Sequence, residues 1–154
     1  MSWLTSIELQ NLIIRHSDNV TKHAFLGIFS MDKLPHYLPH LPILFIVNKD
    51  SANLPGKHWK AVYTSSDKIG EVFDFLALPI GIYLQRWMTT FARKWTVSKV
   101  RVQNPSSATY CAFTLYFVLN RLKQKSMKEC NSIFTKDLHA NDLLFKAFVN
   151  EFRK

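Results

Sequence analysis

Apolar and polar positions change period several times along the 154 residues, and each period predicts an element. Thr5-Ser6-Ile7-Glu8 has capping-box spacing and is followed by Leu12 and Ile13, which with Ile7 predict a helix to about His16. Residues 25–29 are apolar and short; Pro35, Pro39 and Pro42 then keep the chain extended or turned. The unbroken apolar run 43–47 predicts a buried strand, closed by the turn-rich segment 48–56. Residues 58–63 and 71–75 read as two further strands joined by the polar turn 64–70, so the three form a meander.

From Ile80 the period becomes helical. Ile80, Tyr83, Leu84, Trp87, Met88, Phe91 and Trp95 share one face of a helix opened by Pro79. Lys99 and Arg101 alternate with Val100 and Val102, the pattern of a half-exposed strand with its charges outward. Asn104-Pro105-Ser106-Ser107 reads as a turn and helix cap. Residues 108–122 are apolar nearly all round, as in a central buried helix. A last amphipathic helix runs from about Asn141, with Leu144, Phe145, Phe148, Val149 and Phe152 inward. The order of elements predicts an α+β fold, and without a linker, repeat or low-complexity tract, residues 1–154 read as a single domain.

Composition narrows the class. Hydrophobic residues make up 47% of the chain, with 12 Phe, 5 Tyr and 4 Trp, which excludes disorder. Cys111 and Cys130 cannot build a disulfide framework, and no apolar run approaches the roughly 20 residues that span a bilayer. The Met1 start has no signal-peptide layout, so an intracellular protein without a membrane partner is expected. The 20 Lys+Arg against 11 Asp+Glu leave a formal charge of +9. Arg86, Arg93, Lys94, Lys99 and Arg101 fall along one predicted helix and the next strand, and Arg121, Lys123, Lys125 and Lys128 follow the central helix. Such a stripe is either a solvated face or a non-specific surface for DNA phosphates, since no zinc-finger, RNP or clear helix-turn-helix pattern is present. Most aromatics sit at core spacing, which argues against base stacking.

His16, His23, His36, His40 and His139 lie in polar or turn contexts without ligand spacing, so no metal site is expected. His58 differs, because it opens a predicted strand after a glycine turn and beside Trp59. The order His58, Asp74, Gln103 and then Cys111 on a capped helix supplies the parts of a thiol protease. The imidazole base needs a carboxylate to orient it, the thiol needs that base and gains from a helix N-terminus, and an upstream amide can donate to the oxyanion. Order alone does not establish such a site, since a chain with six histidines offers many candidates.

Seven segments in order resemble the adenain-like cysteine proteases of adenoviruses and Polinton/Maverick elements, distant relatives of the SUMO-deconjugating proteases. They are Phe25-Leu26-Gly27-Ile28-Phe29, Ile46-Val47-Asn48, Pro55-Gly56-Lys57-His58-Trp59, Phe73-Asp74, Gln103 with Pro105 and Ser107, Leu115-Tyr116-Phe117, and Asn141-Asp142 with Phe148-Val149. The resemblance implies a central helix packed on a small twisted sheet, with the nucleophile at that helix's start. It makes His58 the general base, Asp74 its orienting carboxylate and Gln103 the oxyanion donor, with Trp59 near the cleft. Glu71 is the competing acid, but strand alternation points it away from the face of Asp74. The implied partners are a protein substrate such as a capsid precursor and DNA as a non-catalytic cofactor. The implied place is the host nucleus, a virus factory or the virion.

The sequence departs from that family at the nucleophile. The family's cysteine lies seven residues after the glutamine, where this chain has Tyr110, and Cys111 takes the place of the following glycine. One step along a helix turns a side chain by about 100°. Three readings stand: an extra residue in the preceding loop brings Cys111 into the slot; the nucleophile is lost and a protease-fold scaffold remains; or Cys111 is a small buried hydrophobe. Asp74 is also followed by apolar Phe75-Leu76-Ala77, where the family shows a small polar residue and glycine.

Overall fold

The computed structural model describes residues 5–18, 21–48, 58–104 and 110–152, apart from the side chains of Tyr110 and Cys111. The expected turn at 48–56 and the cap at Ser106-Ser107 fall largely or wholly outside these residues. Helix α1 is Ser6–His16, and its capping box forms: Glu8 N donates to Thr5 Oγ1 at 3.2 Å, and Thr5 N to Glu8 Oε2 at 2.7 Å. Its buried face is Leu9, Leu12 and Ile13, whereas Ile7 is 74% exposed.

The five strands are β1 Phe25–Ser30, β2 Ile43–Asn48, β3 Trp59–Thr64, β4 Ile69–Phe73 and β5 Lys94–Val97, and they lie side by side in chain order. The expected meander is β2-β3-β4, antiparallel throughout, while β1 joins β2 and β5 joins β4 in parallel. Ile43, Phe45 and Val47 pack on one face of the sheet, Leu44 and Ile46 on the other. Burial on both faces is why this strand reads as a continuous apolar run.

One face carries α1, α3 (Tyr110–Leu122) and α5 (Leu138–Phe152); α2 (Ile82–Phe91) covers the other. Helix α3 is the expected central helix, and its Phe117 ring stacks on Phe73 of β4 at 4.2 Å. Its Phe113 lies 4.4 Å from Phe145 of α5.

The chain departs from its periodicity in four places. The helix expected to run from Ile80 to Trp95 spans only α2, and Tyr83 is 54% exposed. Trp95 instead belongs to β5, opposite Gly70. A β-carbon at Gly70 would collide with Met88 Cε and stand 3.1 Å from the β-carbons of Ala92 and Trp95, so the bare backbone lets the helix end close over β4. The strand expected at residues 99–102 does not form, because β4 ends at Phe73 and the last parallel bond runs from Ser98 N to Val72 O. A short helix, α4 (Met127–Asn131), was not anticipated, although Ser126 and Glu129 form a second capping box. Helix α5 starts three residues earlier than expected, and its inward positions include Asn141 and Asp142, while Leu144 is 48% exposed.

Candidate active site

His58 immediately precedes β3 and Asp74 immediately follows β4. Antiparallel pairing of these strands brings the two residues to the same end of the sheet, and even-numbered positions share a face. His58 Nε2 lies 2.8 Å from Asp74 Oδ1, and both side chains are buried. This pairing leaves Nδ1 as the imidazole nitrogen not directed at the carboxylate.

Lys60, two residues along the same strand face, is 2% exposed and brings its ammonium 3.2 Å from Asp74 Oδ2. It also donates to the carbonyls of Pro79 at 2.8 Å and Leu78 at 3.4 Å. Asp74 closes its own turn: Oδ1 accepts from Leu76 N at 2.9 Å and Oδ2 from Leu78 N at 3.0 Å. Ser98 Oγ accepts from Asp74 N at 2.7 Å and donates to Asp74 O at 3.0 Å, fixing the backbone. Burial pushes the Asp74 carboxyl up, but the contact with His58, the charges of His58 and Lys60 and the Leu76 N–H together outweigh it and hold the group below its ordinary value. The apolar residues after Asp74 form a turn in which Ala77 has φ +52°, a conformation that favours glycine.

Gln103 is buried, and its segment is tied beside the acid: Val102 N and Gln103 N both donate to Phe75 O, at 2.9 and 3.1 Å. The Phe75 ring lies 5.2 Å from Phe113 in the first turn of α3, so the acid's strand end, the Gln103 segment and the start of α3 are neighbours. Tyr110 is the first residue of α3 and Cys111 the second; their side chains lie outside the described residues. Trp59 is buried in the core under α3, directly after His58.

Glu71 is engaged elsewhere, as strand alternation anticipated. Arg121 of α3 donates through Nε to its Oε2 at 2.8 Å and through Nη2 to its Oε1 at 3.3 Å. The same guanidinium sits 3.8 Å over the Tyr63 ring, which removes Arg121 from the cationic stripe. Arg86, Arg93, Lys94, Lys99 and Arg101 are exposed.

Three residues that hold the site were not anticipated. Lys60 had a signal, its period-two spacing from His58, but a strand lysine defaults to a solvated face. Ser98 had none, because its partner is distant in sequence, and Asn141 had only its place in one segment of the resemblance, which gave it no such role. Asn141, buried at the start of α5, donates through Nδ2 to Val102 O and to Thr135 O, both at 2.9 Å. It thereby anchors the residue before Gln103. Among the described residues no three His, Cys, Asp or Glu side chains gather to hold a metal ion, and no helix is long and apolar enough to cross a membrane.

No protein-family profile and no curated protein matches the chain. Solved structures do. The ASFV pS273R protease superposes with a TM-score of 0.65 at 17% identity, over 94% of this chain and 66% of that one. Its selenomethionine form gives 0.61 at 15% identity, over 94% and 67%. The central domain of the uncharacterized Lpg1148 protein from Legionella pneumophila gives 0.58 at 10% identity, over 99% and 97%. At these identities the likeness establishes architecture: this chain, spanning just under two thirds of the ASFV protease's length, has the same α+β fold as that enzyme.

Proposed function

We propose that this chain is a thiol endopeptidase of the adenain-like type, acting on precursor proteins of a virus or mobile element. The observation that carries the reading is the buried His58–Asp74 pair at 2.8 Å, set beside the Gln103 segment that leads into the first turn of α3. In this reading Asp74 holds the His58 ring, and Nδ1 takes the Cys111 thiol proton. The thiolate attacks the scissile carbonyl, and the Gln103 amide with N–H groups at the start of α3 stabilises the oxyanion. The imidazolium returns its proton to the leaving amine, and water then releases the acyl group from sulfur. Fold likeness to the ASFV protease supports the reading, as do the family's segments in order. The exposed stripe Arg86, Arg93, Lys94, Lys99 and Arg101 would hold DNA as an accessory, in the host nucleus or a virus factory, with affinity falling steeply as salt rises.

A second reading is favoured by one observation: Tyr110, not Cys111, is seven residues after Gln103 and is the first residue of α3. A phenol there makes the chain a catalytically silent scaffold that works through protein or DNA contacts. A thiol-directed peptidyl probe separates the two. Burial pushes the Cys130 thiol up to about 11, so that thiol is a poor competitor near neutral pH. An active enzyme is labelled at Cys111, loses labelling in Cys111→Ala, and loses about 100-fold or more of its rate in His58→Ala. Folded protein that takes up no probe at Cys111 overturns the peptidase reading.

A further inference from the structure

A groove of about 490 Å³ lies between the residues that follow β5 and the connection from α4 to α5. Its apolar lining includes Val100, Phe134 and Leu138, and its cations are Lys99, Arg101 and Lys136. Among the described residues no acidic side chain lines it. Asp137, beside Lys136, turns its carboxylate to Ala140 N at 3.1 Å and so caps α5. Val100 is 71% exposed between two exposed cations.

The groove is built in advance. Asn141 bonds the Val102 carbonyl on one wall and the Thr135 carbonyl on the other, so one buried amide fixes their separation. Phe134 is held from behind by Phe113 and Phe145, at 5.8 and 5.3 Å, and does not fold into the space. A recess with fixed walls spends little free energy on ordering when it is filled. Its volume falls in the range of about 300–1,000 Å³ typical of ligand sites.

We propose that this groove docks an extended acidic peptide segment, with an apolar side chain on Val100, Phe134 and Leu138 and flanking carboxylates on Lys99, Arg101 and Lys136. Charge complementarity selects an acidic partner, and the apolar floor selects a polypeptide over duplex nucleic acid, whose outward phosphate backbone offers nothing apolar to fill it. Because Val102 is followed directly by Gln103, the occupant would lie next to the candidate oxyanion residue. It would act as a recognition element outside the His58–Asp74 pair.

The test is fluorescence anisotropy on the folded full chain, without turnover. The probe is a short labelled peptide with a central Leu-Phe flanked on both sides by Asp and Glu. Binding should weaken about tenfold in each of Lys99→Glu and Lys136→Glu, and by at least that much in Val100→Asp. Replacing the central Leu-Phe with Ser-Ser should have the same effect as Val100→Asp. All three positions are exposed, and far-ultraviolet circular dichroism checks that the variants fold. Absence of saturable binding overturns the proposal. So does binding indifferent to Val100→Asp or to the Ser-Ser replacement, which would leave only a charged surface of the kind that holds DNA. Cys111 labelling tests the peptidase reading separately, so either proposal can fail while the other stands.

Discussion

Removing the charge of Asp74 should cost more stability than removing that of Lys60, and removing both should cost less than the sum. The carboxylate and the ammonium are 3.2 Å apart and both nearly inaccessible to water. At an effective dielectric constant of about 20 their attraction is about 5 kcal/mol, opposed by the desolvation of both groups. Asp74→Asn removes the carboxylate that faces the buried Lys60 charge, and turns an amide donor toward a site already crowded with donors: Lys60 Nζ, Leu76 N and Leu78 N. The expected loss is about 3–5 kcal/mol. Lys60→Met leaves Asp74 its two backbone donors and His58, and should cost about 1–2 kcal/mol. The double variant should recover about 2 kcal/mol of the sum as coupling. Urea unfolding followed by tryptophan fluorescence reads all three, since Trp59 and Trp87 are buried. The pH dependence has a definite sign. The native carboxyl titrates below its ordinary 3.8, so its contribution is complete above that value and is lost as pH falls through the lower native one. Wild type and Asp74→Asn should therefore converge in stability on acidification below about pH 4. An Asp74→Asn variant within about 1 kcal/mol of wild type at pH 7, or strict additivity in the double variant, would refute the reasoning.

Other outcomes follow from single contacts. Asn141→Ala strips partners from the Val102 and Thr135 carbonyls and from Thr135 N, and should cost about 2–4 kcal/mol; a loss below about 1 kcal/mol would remove its role as the tie between α5 and the Gln103 segment. Ala77→Gly relieves a left-handed residue at φ +52° and should stabilise by up to about 1 kcal/mol after the entropy cost of glycine, whereas Ala77→Val should destabilise in the same urea-unfolding assay. Gly70→Ala drives a methyl into Met88 and against Ala92 and Trp95, and should cost about 1–3 kcal/mol; a melting temperature equal to wild type would show that the α2 end yields freely.

The parts of the fold that were legible are those where local period and tertiary demand agree. In α1 the capping box and the apolar positions Leu12 and Ile13 point the same way, and in the 43–47 run burial on both faces leaves no polar residue to mislead. Trp95 was misread because it continues a helical spacing after the chain has left the helix at Ala92, where the backbone turns extended and goes on to pair with β4. Lys99 and Arg101 alternate as a strand does, yet a strand needs a neighbour, and β4 has already turned at Asp74. The meeting of His58 and Asp74 was readable because they flank adjacent antiparallel strands, where alternation places both on one face. Lys60 shares that alternation, but the chemistry of a strand lysine suggests solvent until its burial is seen. Asn141 was found only as one residue of a resemblance; its work is a pair of hydrogen bonds to two other segments, which no local pattern announces.

The turn that Asp74 closes has a consequence for how such a chain evolves. Its carboxylate secures Leu76, Leu78 and Lys60, and each of these serves the folded state whether or not a peptide bond is ever cut. Selection for foldability is then sufficient to retain Asp74 and Lys60 in a lineage that has abandoned proteolysis. Among the described residues His58 carries no comparable structural duty: of its two ring nitrogens only Nε2 meets the carboxylate, which has three other donors. In the peptidase reading the histidine is therefore the residue whose drift across related chains would mark the loss of catalysis, with the aspartate persisting behind it as a relic of the fold.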